Sequence, residues 1–334
     1  MKKKGIKITA LILFVVIIVG MVMYRQFFSW KEQTVYAMDT IITVKIKGTS
    51  AQLERLMEQI ETAEKELNVY DPECRLYQAN QNGGGTISQM EADLITKALD
   101  YCHLTDGCFD LTVKSVTDLW GITSENPRVP ESGEIKDALE RVDYRFVHCD
   151  GQQLVLENQA QIDVGAIAKG YVTDLLVQQL RQDGVKEAIL DLGGNIYSFG
   201  KDKYHTIGIQ EPFAGRGEVV ASIEVADQAV VTSGIYERMF EQDGIQYHHI
   251  FDPATGYPVQ NGIQSVTVVG QNAAMCDALS TAILLMGEDG AKDFRKENPN
   301  IEFLMVEEGK IVMTKGLEAY TTILDQTLER EVLA

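Results

Sequence analysis

Four short stretches of the chain hold residue types whose spacing could do chemistry. Residues 163–174 read DVGAIAKGYVTD. A strand ends, a glycine turns the chain, and a helix begins with Lys169 in its first turn. Free N–H groups and the positive end of such a helix make an anion site, which a lysine reinforces. The alternative is that Gly165 and Gly170 are packing glycines and Lys169 is solvated. Residues 277–281 read DALST. At i and i+4 on a helix, Asp277 and Thr281 present a carboxylate and a hydroxyl to one point. Such hard oxygen donors suit Mg²⁺. The alternative is that Asp277 caps the helix and Thr281 bonds a carbonyl one turn back. Residues 247–258, YHHIFDPATGYP, place His248 and His249 on a strand before a turn. Adjacent strand residues face opposite ways, so one histidine can serve as a general base while the other packs. The alternative is two strand histidines beside a turn. Zinc is a poor reading, since the chain has 5 histidines and no H-x-x-x-H. Finally, residues 107–122, GCFDLTVKSVTDLWGI, set Asp110 and Thr112 among core residues such as Phe109 and Trp120. They read as core or as the wall of a flat-ring pocket.

These stretches need elements to position them. The alternating, β-branched residues 35–47 predict one strand. Residues 51–67 repeat apolar side chains at helical spacing. Asp71-Pro72 breaks the chain, and residues 81–86 (QNGGGT) predict a flexible loop. Ser88 with Glu91 is a capping box opening a helix that runs to about His103. An exposed turn at 124–133 precedes a short helix near 135–142. Strands are expected at 154–157, 161–164, 188–192, 196–199, 205–210, 218–225, 230–232 and 265–269. Helices are expected at 166–182 and at 273–286, the latter ended by Gly287. A hairpin of 301–306 and 310–314 closes the body. Short helices interrupting many strands, without regular alternation, give an α+β class. No G-x-x-x-x-G-K-[ST] and no G-x-G-x-x-G after a strand occurs, so Walker and Rossmann nucleotide binding is unsupported.

Length and charge narrow the options further. The 334 residues suffice for about two domains. With 30 Lys and Arg against 49 Asp and Glu, the net charge is −19, which argues against nucleic acid as a partner. An anionic ligand would need a local cation or helix terminus. The N-terminus, MKKKGIK, leads into an apolar run over 8–24. As a helix this run is about 25 Å long, slightly short of a bilayer core of about 30 Å. No A-x-A site follows, so an uncleaved anchor is expected, with a cleaved signal peptide as the alternative. Residues 1–7 would stay cytoplasmic and the body would be extracytoplasmic. The 5 cysteines show no C-x-x-C and read as small core residues, with one disulfide, for example Cys102 to Cys108, as the alternative.

Taken in order, these segments resemble the ApbE family of FAD:protein FMN transferases over about residues 36–313. Met38-Asp39-Thr40 is similar to the family's M-G-T, with Asp39 in place of Gly. Residues 67–80 are similar to its L-S-x-Y-D-P-x-S stretch, with Asn68 and Cys74 where Ser is usual and Ala79 where Leu or Phe is usual. Residues 108–110, 163–171, 192–195, 232–234, 249–256 and 277–281 match. The resemblance implies an ApbE-like fold of two interlocked subdomains over 35–320, a tail at 321–334, and FAD as substrate. It places the flavin near Met38, Tyr70, Cys108, Phe109 and Asp110. Asp163, Lys169, His249 and Ile250 then contact the cofactor, and Mg²⁺ is held by Asp277, Thr281 and the carbonyl of Ala166. His249 and Asp277 are the implied catalytic residues, with Asp252 a weaker base candidate. FMN would pass from FAD to a Thr or Ser hydroxyl of an acceptor protein, releasing AMP. The acceptor would be a membrane redox-complex subunit or an FMN-binding-domain protein. The competing readings are an FAD pyrophosphatase and a non-catalytic flavin-binding surface protein.

Overall fold

The computed structural model describes residues 13–18, 20–21, 29–215 and 217–334. Most of the expected anchor at 8–24 lies outside the described residues. Residues 13–18 and 20–21 are helical. Among the described residues, no helix is long and apolar enough to cross a membrane.

The body is built on one long sheet. It begins with a hairpin, β1 (Trp30–Ala37) and β2 (Thr40–Lys47), where the sequence predicts a single strand. The reason is local. Ala37 pairs with Thr40, and both residues between them are left-handed, Met38 at φ 52° and Asp39 at φ 57°. Two positive φ values define the two-residue turn whose twist suits a hairpin, and Asp is one of few non-glycine residues to adopt it readily. The usual Gly of the M-G-T motif is thereby explained, as is its replacement by Asp.

Helix α1 (Ser50–Leu67) follows, then α2 (Arg75–Asn82) and β3 (Gly84–Thr86). The expected flexible loop at 81–86 is therefore a helix end plus an ordered strand, paired antiparallel with residues 153–155. Gly84 permits this, because a Cβ there would lie 2.3 Å from the Leu154 carbonyl oxygen. Helix α3 (Gln89–Leu104) starts at the predicted Ser88–Glu91 capping box. Helices α4 (Lys114–Trp120) and α5 (Ser132–Leu139) precede the strands β4 (Val147–Asp150) and β5 (Gln153–Leu156). Residues 161–164 make a single bridge, Val113 to Gln161, rather than the expected strand. Helix α6 (Ala168–Gln182) then leads to β6 (Ala188–Leu192) and β7 (Asn195–Phe199).

The second half contributes β8 (His205–Gln210), β9 (Val219–Val225), β10 (Gln228–Gly234), β11 (Met239–Gln242), β12 (Ile245–His248) and β13 (Ile263–Gly270). Helix α7 (Ala273–Glu297) is broken at Gly287 (φ 73°, ψ 174°), where the sequence predicts the first helix to end, and a second helical stretch follows. The predicted closing hairpin is β14 (Glu302–Glu307) and β15 (Lys310–Thr314). Residues expected as a tail form β16 (Thr321–Ile323) and β17 (Glu329–Leu333). β17 pairs in parallel with β15, because a chain returning through β16 reaches that edge in the same direction.

The described strands order as β1-β2-β6-β7-β10-β13-β14-β15-β17, with β16-β9-β8 as a separate sheet. Strand alternation splits the long sheet between two cores. Val266, Val268, Phe303 and Met305 face the helices. Val269, Leu304, Val306, Ile311 and Met313 face β8 and β9. A third cluster joins α4 and α5 to Phe251 around the fully buried Trp120. This layered α and β architecture agrees with the α+β class. All 5 cysteines are free, and Cys74, Cys102 and Cys276 are buried, as small core residues should be.

Two turns fix the site's edge. A Cβ on Gly193 would sit 2.0 Å from Thr40 Oγ1, so the β6–β7 turn packs directly against the β1–β2 turn. Asp39→Val should lower the unfolding free energy by about 1–3 kcal/mol, because a β-branched residue is strained at positive φ. Asp39→Gly should not lower it. Urea denaturation of both variants checks this.

Candidate active site

The site forms where α6 crosses the start of α7. Gly170 makes the crossing possible: an added Cβ would lie 2.3 Å from the Ala273 carbonyl oxygen and 2.7 Å from Asp277 Cβ. At this distance Gly170 N–H donates to Asp277 Oδ2 (2.8 Å). Asp277 is only 4% exposed. Its Oδ1 accepts no hydrogen bond among the described residues.

Asp277 is not the helix cap. Asn272 takes that role, its Oδ1 accepting from Met275 N–H (2.7 Å), while Asp174 accepts from Ala273 and Ala274 N–H (2.8 and 3.0 Å). Nor does Thr281 bond one turn back. Ser280 Oγ donates to the Asp277 carbonyl (2.8 Å) instead. Thr281 Oγ1 meets Ser233 Oγ at 3.1 Å, and Ser233 Oγ meets Ser280 Oγ at 2.7 Å. The T-S-G end of β10 thus braces the hydroxyl that shares a helix face with Asp277.

The turn entering α6 is organised by Asp163. Its Oδ1 accepts Gly165 N–H (2.8 Å) and its Oδ2 accepts the Tyr70 hydroxyl (3.2 Å). The N-cap position, Ile167, offers no side-chain cap, and the first turn holds no acidic residue. Ala166 lies at the entry to this helix end. Lys169, half-buried in the first turn, forms no ion pair among the described residues. Ile167 and Ala168 N–H reach the Val164 carbonyl and Gly170 N–H reaches Asp277, so the group left to meet an anion at this helix end is Lys169.

β12 ends at His248, so His249 lies in the bend just past the strand where the sequence predicts both on it, and the two side chains meet different partners. His248 is buried, with Nε2 on the Val259 carbonyl (2.7 Å). His249 places Nδ1 on the Arg238 carbonyl (3.2 Å). A carbonyl only accepts, so Nδ1 carries the proton and Nε2 is left as the basic nitrogen. Burial, then the charge of Arg238, with smaller contributions from His248 and Lys169, pushes the His249 pKa down to about 3. The structure thus brings Lys169 and His249, 80 residues apart in sequence, into electrostatic range.

The remaining predicted residues are less uniform. Met38 packs on the main core, and its N–H donates to Glu64 Oε2. Cys108 Sγ faces the Ala282 carbonyl (3.5 Å), and burial, aided by Asp252, pushes its thiol up to about 12. It is not a thiolate at neutral pH. Phe109 is buried core. Asp110 is fully engaged: Oδ1 accepts Thr112 N–H (2.7 Å) and Oγ1 (2.6 Å), and Oδ2 accepts Tyr144 N–H (2.9 Å). Its carboxylate fastens a loop. Ile250 is buried beside His248. Asp252 holds the D-P-A-T-G turn through Ala254 N–H (2.8 Å) and the Thr255 hydroxyl (3.0 Å), so its oxygens are committed there. Sequence reading missed the bracing roles of Asp174, Asn272 and Arg238. Each acts across elements, where spacing along one helix or strand carries no signal.

Among the described residues, no three His, Cys, Asp or Glu side chains gather as a metal-ligand cluster. A cation here would therefore have one carboxylate and neutral oxygens. That donor set fits Mg²⁺, which keeps few protein carboxylates and takes its remaining ligands from water and phosphate.

Comparison with known proteins shows the family of the chain. Residues 38–305 match the ApbE family. The chain is 31% identical over 299 residues to the FAD:protein FMN transferase of Treponema pallidum (strain Nichols), covering 82% of each chain. It is 32% identical over 269 residues to that of Klebsiella pneumoniae (strain 342), covering 79% of this chain and 84% of the relative. The crystal structure of the ApbE protein of Thermotoga maritima superposes with a TM-score of 0.81 at 32% identity, over 87% of this chain and 99% of that one. The chain is an enzyme with the ApbE fold. It belongs to the ApbE family, whose relatives above are transferases by name.

Two outcomes follow from the geometry. A histidine whose folded pKa lies below its unfolded value of about 6.5 stabilises the fold above that value, and this is lost as pH falls toward about 3. The His249 imidazole resonances should therefore stay at their neutral positions from about pH 8 to 5, read by ¹H–¹⁵N NMR, with Nδ1 protonated. Gly170→Ala should destabilise the fold by about 1–3 kcal/mol through overpacking and weaken ligand binding, measured by denaturation and by FAD titration.

Proposed function

We propose that this protein transfers FMN from FAD to a threonine or serine hydroxyl of an acceptor protein, releasing AMP, with Mg²⁺ required. The observation that carries this reading is the buried Asp277 with one oxygen uncommitted, on the same helix face as the braced Thr281. Mg²⁺ held by Asp277, Thr281 and the Ala166 carbonyl would supply positive charge to a pyrophosphate. Its relatives' names, and the FAD they specify, support the substrate assignment.

The chain's own residues account for the rest. Lys169, at the positive end of α6, receives phosphate oxygens. In the reaction, the acceptor oxygen attacks the phosphorus on the riboflavin side. The new P–O bond forms as the bond to the AMP phosphate breaks, and Lys169 offsets the charge that AMP carries away. His249 takes the hydroxyl proton at Nε2. A base with pKa near 3 is weak toward a free alcohol. It is neutral at all working pH, however, and its basicity rises once anionic phosphates stand against Lys169 and Arg238.

The anchor expected at 8–24 would hold this body on the extracytoplasmic side of the cell membrane. The acceptor is accordingly an exported or membrane protein, such as a redox-complex subunit or an FMN-binding-domain protein. The same site would also serve water as nucleophile, which makes free FMN the product of the competing pyrophosphatase reading.

Incubation with FAD, Mg²⁺ and an FMN-binding-domain acceptor should release AMP in step with protein-bound flavin. Asp277→Ala, or chelation of Mg²⁺, should abolish both. Full turnover in that variant would refute the metal assignment, and AMP with only free FMN would favour the pyrophosphatase.

A further inference from the structure

Lys114 opens α4 and is buried, at 4% exposure. A buried ammonium needs compensation on every side. Asp118, one turn on, supplies part of it: Nζ lies 2.9 Å from each Asp118 oxygen. On another side Nζ stands 3.8 Å from the centre of the Tyr70 ring. Tyr70 itself is 52% exposed. Its hydroxyl lies between Asp118 Oδ1 (3.3 Å) and Asp163 Oδ2 (3.2 Å). The ring is therefore seated on a cation by one face, its single hydroxyl proton is shared between two carboxylates at its edge, and about half of the side chain is exposed.

We propose that Lys114 is a positioning residue that fixes the Tyr70 ring as a preset stacking platform for the flavin of FAD. This rests on the FAD reading above. The tether has a second consequence. Asp163, which receives the Tyr70 hydroxyl, also receives Gly165 N–H at the turn into α6. The platform and the anion-binding end of α6 thus share one carboxylate, which sets the distance between the flavin and phosphate subsites. Lys114 touches no reacting atom. It acts by lowering the ordering cost of stacking, since a ring already held does not have to be immobilised on binding.

The test compares wild type, Lys114→Met and Asp118→Asn in steady-state transfer, in FAD fluorescence titration with Mg²⁺ and in thermal unfolding. Lys114→Met keeps the side chain's bulk and leaves Asp118 at a position where water reaches it. A desolvated cation–π contact predicts a rise in KM and Kd for FAD of about tenfold, with kcat within about twofold. Asp118→Asn should raise KM by a smaller factor. Unchanged KM and Kd in Lys114→Met, beside an active wild type, would overturn the proposal and leave the FAD reading standing. A parallel fall in kcat and unfolding temperature would make Lys114 a fold residue and overturn it too. A wild type that does not bind FAD would remove both.

Discussion

The hydrogen bond from Gly170 N–H to the Asp277 carboxylate is the constraint on which the rest of the site depends. It exists only because position 170 has no side chain, so α6 and α7 can meet at backbone distance. The bond holds Asp277 by one oxygen and leaves the other free. The same contact brings the start of α6, with Lys169, beside the helix that carries Thr281. A carboxylate buried to this degree would be costly if it were wholly unpartnered. One bond to a backbone donor lowers that cost and still leaves a ligand position.

Around this crossing, charge is arranged with economy. The chain carries −19 overall, yet Lys169 and Arg238 both stand near His249. In the unliganded protein they add to burial, the larger cause, in keeping the imidazole neutral, and the Arg238 carbonyl fixes which nitrogen is basic. Anionic phosphates would relieve that pressure, so the base strengthens when substrate is in place. Asp39, at the tip of the β1–β2 hairpin, lies 3.8 Å from Arg238 and ties this edge of the site to the turn beside Gly193.

Much of this was legible in the sequence, for physical reasons. The Ser88–Glu91 cap, the helix containing Asp277 and Thr281, and the β14–β15 hairpin follow from local rules of capping and periodicity. The β1–β2 turn did not show, because Met38 and Asp39 lack the glycine that usually announces two positive φ values. The strand at 84–86 was hidden by a glycine run whose role is close backbone approach, not flexibility. The parallel return of β17 depends on long-range pairing. Within the site, Asp277 and Lys169 were visible as residue types at telling positions. For Gly170 the sequence leaves packing and an anion site open, and the structure shows the packing against α7. The bracing of Thr281 by Ser233, of α7 by Asp174 and of Tyr70 by Lys114 joins distant elements, so only the fold reveals it.

The most direct test of the account is the intact mass of an FMN-binding-domain acceptor co-expressed with this protein, followed by a peptide map. A gain equal to FMN less one water on a single threonine or serine is the predicted result. An unmodified acceptor alongside free FMN and AMP would contradict transfer, and intact FAD would contradict catalysis altogether.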